Sequence, residues 1–172
     1  MPSTTYELIK GETLASSAAS YTFTAIPSTF TDLCLRLSLR DTSTTSYPNQ
    51  AVVKVNAITS YSKISVESIG TSVFSSSANH GGYWLEWAVT SNSQTSNTFA
   101  SSELYIPNYN NTTNNKPASG VVASPENGTS NPADGAFAML MINNAAVSSL
   151  TITTANNFMT GSSFYLYGIK NS

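Results

Sequence analysis

His80 is the only imidazole in the chain, and it stands before Gly81 and Gly82 with Ser75, Ser76 and Ser77 shortly upstream. One histidine cannot build a multi-histidine metal site. The serines lack the strand-to-helix elbow that presents a nucleophilic hydroxyl. The acids Asp32, Asp41, Glu67, Glu86, Glu103, Glu126 and Asp134 are scattered. Glu86 and Glu103 fall inside aromatic-containing strand patterns, from which a glycoside hydrolase could place two carboxylates on one sheet face. The plainer reading of Glu86 is a structural acid paired with Arg36 or Arg40. Asp134 and neighbouring asparagines offer oxygen ligands for calcium, but without EF-hand spacing. Cys34 is the sole cysteine, so neither an intrachain disulfide nor a cysteine zinc cluster can form. We expect no catalytic residues, no metal and no cofactor, and we do not read the chain as an enzyme.

What remains are side chains suited to contact. Trp84, Tyr83, Tyr105, Tyr165 and Tyr167 are the candidates for a protein interface, because large amphipathic rings anchor such surfaces. Tyr47, His80, Tyr109, Asn110 and Asn111 are the candidates for contacts from exposed loops, where tyrosine could also stack on a sugar face. Sequons at Asn110, Asn111 and Asn127 follow from a composition so rich in Asn, Ser and Thr, and the amino-terminal segment shows no export signal to support their use.

That composition narrows the function classes. Charged residues make 9% of 172 residues while Ser, Thr and Asn fill 68 positions, giving a polar surface with little repulsion between copies. A net charge of -2 removes the electrostatic attraction on which nucleic-acid binding rests. No apolar run approaches 18 residues, so we expect no membrane-spanning helix.

The elements that must position these side chains read as strands. In DLCLRLSLR, Asp32 to Arg40, the leucines Leu33, Leu35, Leu37 and Leu39 share one side. Asp32, Cys34, Arg36, Ser38 and Arg40 share the other, which we expect to meet water, a polar cleft or a partner. The same alternation assigns Leu85, Trp87, Leu104, Ile106, Phe164 and Leu166 to the core. Further strands are expected over Tyr6–Leu14, Tyr21–Ile26, Ala51–Ile58, Tyr83–Thr90, Ala118–Ser124 and Ser149–Thr154, and Tyr61–Phe74 reads as one strand or a bent pair with Gly70 at a turn or bulge. Gly135–Ile142 reads as a strand buried on both sides. Ser75–Gly82 reads as a loop, as does Asn108–Lys116 with its five asparagines, and Asn127–Gly128 is a hairpin-turn signal. The fold class is all-β: an antiparallel two-sheet sandwich, jelly-roll-like, of about eight to ten strands. Residues 1–14 are expected to form an arm or short edge strand and 15–172 a single domain.

Three stretches, YTFTAIPSTFTDLCLRLSLRDT at Tyr21–Thr42, FASSELYIPNYNNTTNNKP at Phe99–Pro117 and FMTGSSFYLYGIKNS at Phe158–Ser172, resemble small jelly-roll virion proteins of tailed bacteriophages. The resemblance implies a structural role without catalysis. The expected function is capsid decoration: a cement protein on the outer surface of the particle, assembled in the host cytoplasm. Its expected partners are the major capsid protein and other copies of itself, as a trimer. The alternative is a tail-associated module that recognises host surface glycans.

Overall fold

Apolar side chains recurring at every second position produce twelve strands in the computed structural model. It describes residues 5–45, 48–81, 85–126 and 131–170, with backbone alone at 79–81 and 85–87. The strands are β1 (Tyr6–Thr13), β2 (Ala18–Phe23), β3 (Asp32–Leu39), β4 (Asn49–Val55), β5 (Tyr61–Ile69) and β6 (Ser72–Gly81) in the first half. The second half holds β7 (Leu85–Val89), β8 (Ala100–Ile106), β9 (Lys116–Ser124), β10 (Ala133–Met141), β11 (Leu150–Phe158) and β12 (Ser163–Ile169). They form two antiparallel sheets, one of eight strands in the order β1-β12-β3-β8-β9-β10-β5-β6 and one of four in the order β2-β11-β4-β7.

The leucines of β3 are the centre of the larger sheet. Leu35 lies opposite Leu166 on one neighbour and Leu104 on the other, and Leu37 lies opposite Phe164. Phe23, Val53, Val55, Leu150 and Ile152 of the smaller sheet join them in one core. Each such side chain stabilises the fold by about 1.5–3 kcal/mol relative to exposure. The expected core positions Leu33, Leu35, Leu37, Leu39, Leu104, Ile106, Phe164 and Leu166 are all buried. Leu85 and Trp87 fall in β7, where side chains lie outside the described residues.

Four expectations are corrected. The described residues form twelve strands rather than eight to ten, because β5–β6 and β9–β10 extend the larger sheet as hairpins. Most of the serine run expected as a loop is β6, held in register by β5. Residues 72–77 are exposed on both faces of this edge strand, so serine is tolerated there. β10 is buried on one side only: Phe137, Met139 and Met141 point inward, whereas Ala136 and Ala138 are exposed. The Phe137 ring covers Gly120 of the next strand, where an added Cβ would approach the ring to 2.3 Å. Finally, β4 ends at Val55 rather than Ile58. Asn56 and Ala57 take φ of 48° and 56°, and Ile58 N–H donates to the Val55 carbonyl across the turn. Asn56 Oδ1 accepts the Ser148 and Ser149 amides, which locks that turn against the β10–β11 connection.

Candidate interaction surface

The polar side of β3 divides into two kinds of position. Arg36 is exposed and pairs with Glu103 at 2.9 Å, with its guanidinium 5.8 Å from the centre of the Tyr167 ring. Asp32, Cys34 and Arg40 are buried, so of the surroundings expected for this side, water, a polar cleft or a partner, these three positions have polar protein surroundings rather than water. The Asp32 carboxylate accepts the Tyr105 hydroxyl at 2.7 Å and the Asn108 amide at 2.8 Å. That bond, together with burial, pushes the Tyr105 hydroxyl up to about 12. Burial and the nearby Glu103 charge push the Cys34 thiol up, with Arg36 acting in the opposite direction. The thiol is therefore held protonated rather than activated as a nucleophile.

Arg40 is buried because the loop 91–98 wraps its guanidinium. It donates to the carbonyls of Asn92, Gln94, Thr95 and Thr98 at 2.7–3.1 Å. Burial pulls its pKa down while Asp41 and Glu126 oppose that shift. The Glu86 side chain, expected to pair with Arg36 or Arg40, lies outside the described residues. Asp41, also buried, accepts the Ser43 amide, the Thr154 hydroxyl and the Asn49 side chain.

The Asn-rich loop is likewise built rather than free. Tyr109 is buried, which corrects its assignment as an exposed contact, and its hydroxyl donates to the Pro27 carbonyl. A tyrosine here caps the core end while its hydroxyl satisfies a carbonyl that the proline-bearing turn leaves unpaired. Asn111 Oδ1 accepts the amides of Thr113 and Asn114, so that side chain shapes its own loop. Asn110 is exposed and donates to the Ser28 carbonyl. Buried Lys116 closes the loop by donating to the Asn114 and Asn144 carbonyls, and burial pulls its pKa down. Tyr47, Tyr83 and Trp84, and the Asn127–Gly128 turn, lie outside the described residues. His80 falls in β6 rather than a loop, with its side chain outside the described residues. Among the described residues no three His, Cys, Asp or Glu side chains gather as metal ligands. Asp134 Oδ1 accepts the Ser68 hydroxyl.

Tyr105, Tyr165 and Tyr167 do come together, on the outer face of the eight-stranded sheet. Register carries one row through Leu8, Tyr167, Cys34, Tyr105, Ser119, Ala138, Ile64 and Ser77. The next row runs through Gly11, Tyr165, Arg36, Glu103, Val121, Ala136, Val66 and Ser75. Tyr6 meets Tyr167 edge-on with centroids 6.5 Å apart. The Tyr165 ring lies across Gly11, where a Cβ would stand 2.4 Å from the ring, and its hydroxyl is 3.3 Å from Thr13 Oγ1. Glycine at position 11 is therefore required by a flat-lying ring. The register shift in β1 falls earlier, between Leu8 and Lys10.

Tyr6, Leu8, Ile64, Val66, Val73 and Val121 on this face are 50–73% exposed. Every exposed large apolar side chain among the described residues belongs to this sheet, with Phe74 of β6 the one that lies on the opposite face. These side chains lie towards the two ends of the face, Tyr6 and Leu8 on β1 and Val121, Ile64, Val66 and Val73 on β9, β5 and β6, with tyrosines and the Arg36–Glu103 pair between them; so much exposed apolar area is unusual for a free monomer and marks an interaction surface. Sequence reading missed its aliphatic half, Ile64, Val66, Val73 and Val121, because each stands among serines and small residues that suggest plain surface. Comparison with protein-family models, curated proteins and solved structures found no match, so the surface is interpreted from its own chemistry.

Proposed function

We propose that this chain is a structural protein of a virion, a cement protein that binds the shell through the outer face of its eight-stranded sheet. The observation that carries the reading is that face: six large apolar side chains half exposed or more, with three tyrosines and few charges between them, on one side of a single sheet. Burying it against a shell of capsid subunits removes apolar area from water at about 25 cal/mol per Å². Each occupied site then raises the cost of dissociating the shell, because a ligand that binds only the assembled state stabilises that state.

The strand order supports a jelly-roll form of the sandwich. Strands β1, β12, β3 and β8 oppose β2, β11, β4 and β7, and the chain alternates between sheets through its first four strands. The last two strands, β11 and β12, insert between the earlier ones, as two interlocked Greek keys require. Jelly rolls serve both capsids and lectins, so the fold alone does not choose between them; the apolar face favours protein contact.

One feature favours the alternative, a tail module that recognises glycans. A shallow groove on the same face is lined by Tyr165, Arg36, Glu103, Ser38, Ser101 and Ser163. A flat-lying aromatic ring beside a carboxylate, a guanidinium and hydroxyls could take a pyranose. Two substitutions separate the readings. Val121→Asp should lower occupancy on purified particles and their resistance to heat, while Tyr165→Ala leaves adsorption to host cells intact. Normal occupancy for Val121→Asp, with adsorption lost for Tyr165→Ala, would reject cement in favour of glycan recognition.

A further inference from the structure

The two ends of the eight-stranded sheet differ. At one end β1, YELIKGET, carries Glu7, Lys10 and Glu12, and Glu7 is paired with Lys170 at 2.8 Å. At the other end β6, SVFSSSANHG, runs ten residues without Lys, Arg, Asp, Glu or Pro. Its pairing with β5 is regular from Ser72 to Asn79, the one register shift lying at the Tyr61/Ser62 end. Charges, prolines, bulges and short length are the devices that keep an edge strand from pairing with another chain. β6 has none of them over eight consecutive residues.

We propose that β6 is a self-pairing edge, through which two copies of this chain join antiparallel across a two-fold axis and fuse their large sheets. A strand paired antiparallel with itself is isologous by construction, so the contact closes after two copies. Because the strand is uncharged, inversion about the axis brings no like charges together. The apolar side chains nearest the edge suit this occupant on both faces of the joint. Val73, Val66 and Ile64 are exposed on the outer face and Phe74 on the inner one, all on the last two strands. Eight paired residues span about 27 Å, and with those four side chains and their copies the joint approaches the class of interfaces near 1,000 Å² in total. Pairing β6 with β1 of another copy would instead grow an open fibre, and it would set the charged side chains of β1 against a strand that offers them no partner.

The pairing gives a two-fold dimer, a different assembly from the trimer expected from sequence. The joint shares Val73, Val66 and Ile64 with the face proposed to meet the shell, but its backbone edge is not part of that face and Val121 lies three strands away, so Ser75→Lys and Val121→Asp let the two readings fail separately. The test is sedimentation of the full chain at about 100 µM, well above the Kd expected for a contact of this size. The wild type should be dimeric. Ser75→Lys, an exposed position on β6, should keep the wild-type circular dichroism and thermal midpoint but weaken dimerisation about a hundred-fold, because two lysines meet across the axis. Glu12→Lys at the opposite edge should leave the dimer unchanged. Single cysteines at Phe74, Ser75, Ser76 and Ser77 in a Cys34→Ala background should include one that cross-links efficiently to its own copy, at the axis. A monomeric wild type, a trimer, or a dimer indifferent to Ser75→Lys would overturn the proposal. So would a dimer lost on Glu12→Lys.

Discussion

Removing the Arg40 guanidinium tests how far a buried cation, rather than apolar packing, holds one end of the sandwich together. Its two terminal nitrogens bind the carbonyls of Asn92, Gln94, Thr95 and Thr98. Arg40→Met keeps the length of the stem and deletes those donors. Counting four charge-assisted bonds at about 1.5–3 kcal/mol each overstates the loss. Thr95 O still accepts the Thr98 amide and hydroxyl, exposed Asn92 lets water reach its carbonyl, and the cost of burying the charge disappears with it. The net loss should be about 2–4 kcal/mol, close to the cost of breaking a buried ionic contact from one side. At this chain length that is a fall in Tm of roughly 4–16 °C. Urea unfolding followed by circular dichroism gives the energy, and amide exchange over residues 91–98 gives the location. Arg40→Lys should recover part of the loss, since an ammonium cannot fork to four carbonyls. A change below about 0.5 kcal/mol with unaltered exchange in the loop would refute the reasoning.

Three further outcomes follow from the geometry. Leu35→Ala, at a fully buried position between Leu166 and Leu104, should cost about 2–5 kcal/mol in urea unfolding, and an unchanged midpoint would remove β3 from the centre of the core. Cys34→Ser should cost much less, about 1 kcal/mol, because the thiol lies on the opposite side of β3 and is a small group. Tyr105 titrates at about 12 folded against about 10 unfolded, so it stays protonated longer in the native state. Its contribution is complete below about pH 10 and is lost as pH rises towards 12, amounting to at most roughly 2 kcal/mol after solvent screening. Tyr105→Phe should flatten that part of the stability–pH curve, and an identical slope in both proteins would show that the Asp32 bond does not cause it.

The parts legible in the sequence were those where one period explains a residue. Leu33 to Leu39 alternate cleanly, and the same parity placed Tyr165 and Tyr167 away from Phe164 and Leu166. Parity failed where tertiary neighbours override it. Arg40 and Asp41 look like surface charges, but the loop 91–98 and the side chains of Asn49 and Thr154 replace their water. Tyr109 sits in a polar run, yet its ring is buried and only its hydroxyl reaches a backbone partner. β6 was invisible because a serine-rich edge strand is held by its ladder to β5, and hydrogen bonding between backbones leaves no mark on side-chain type. The outer face was half legible: the tyrosines announced themselves, while the aliphatic residues gained meaning only once sheet order set β5, β9 and β10 side by side.

The most direct measurement is an image reconstruction of intact particles at a resolution that distinguishes the two sheets of each bound copy. If the proposed cement role holds, many copies occupy repeated positions on the shell, each with the Tyr167–Val121–Val66 face against capsid subunits and the four-stranded sheet turned outward. A few copies confined to the tail, or shell-bound copies whose eight-stranded sheet faces solvent, would contradict it.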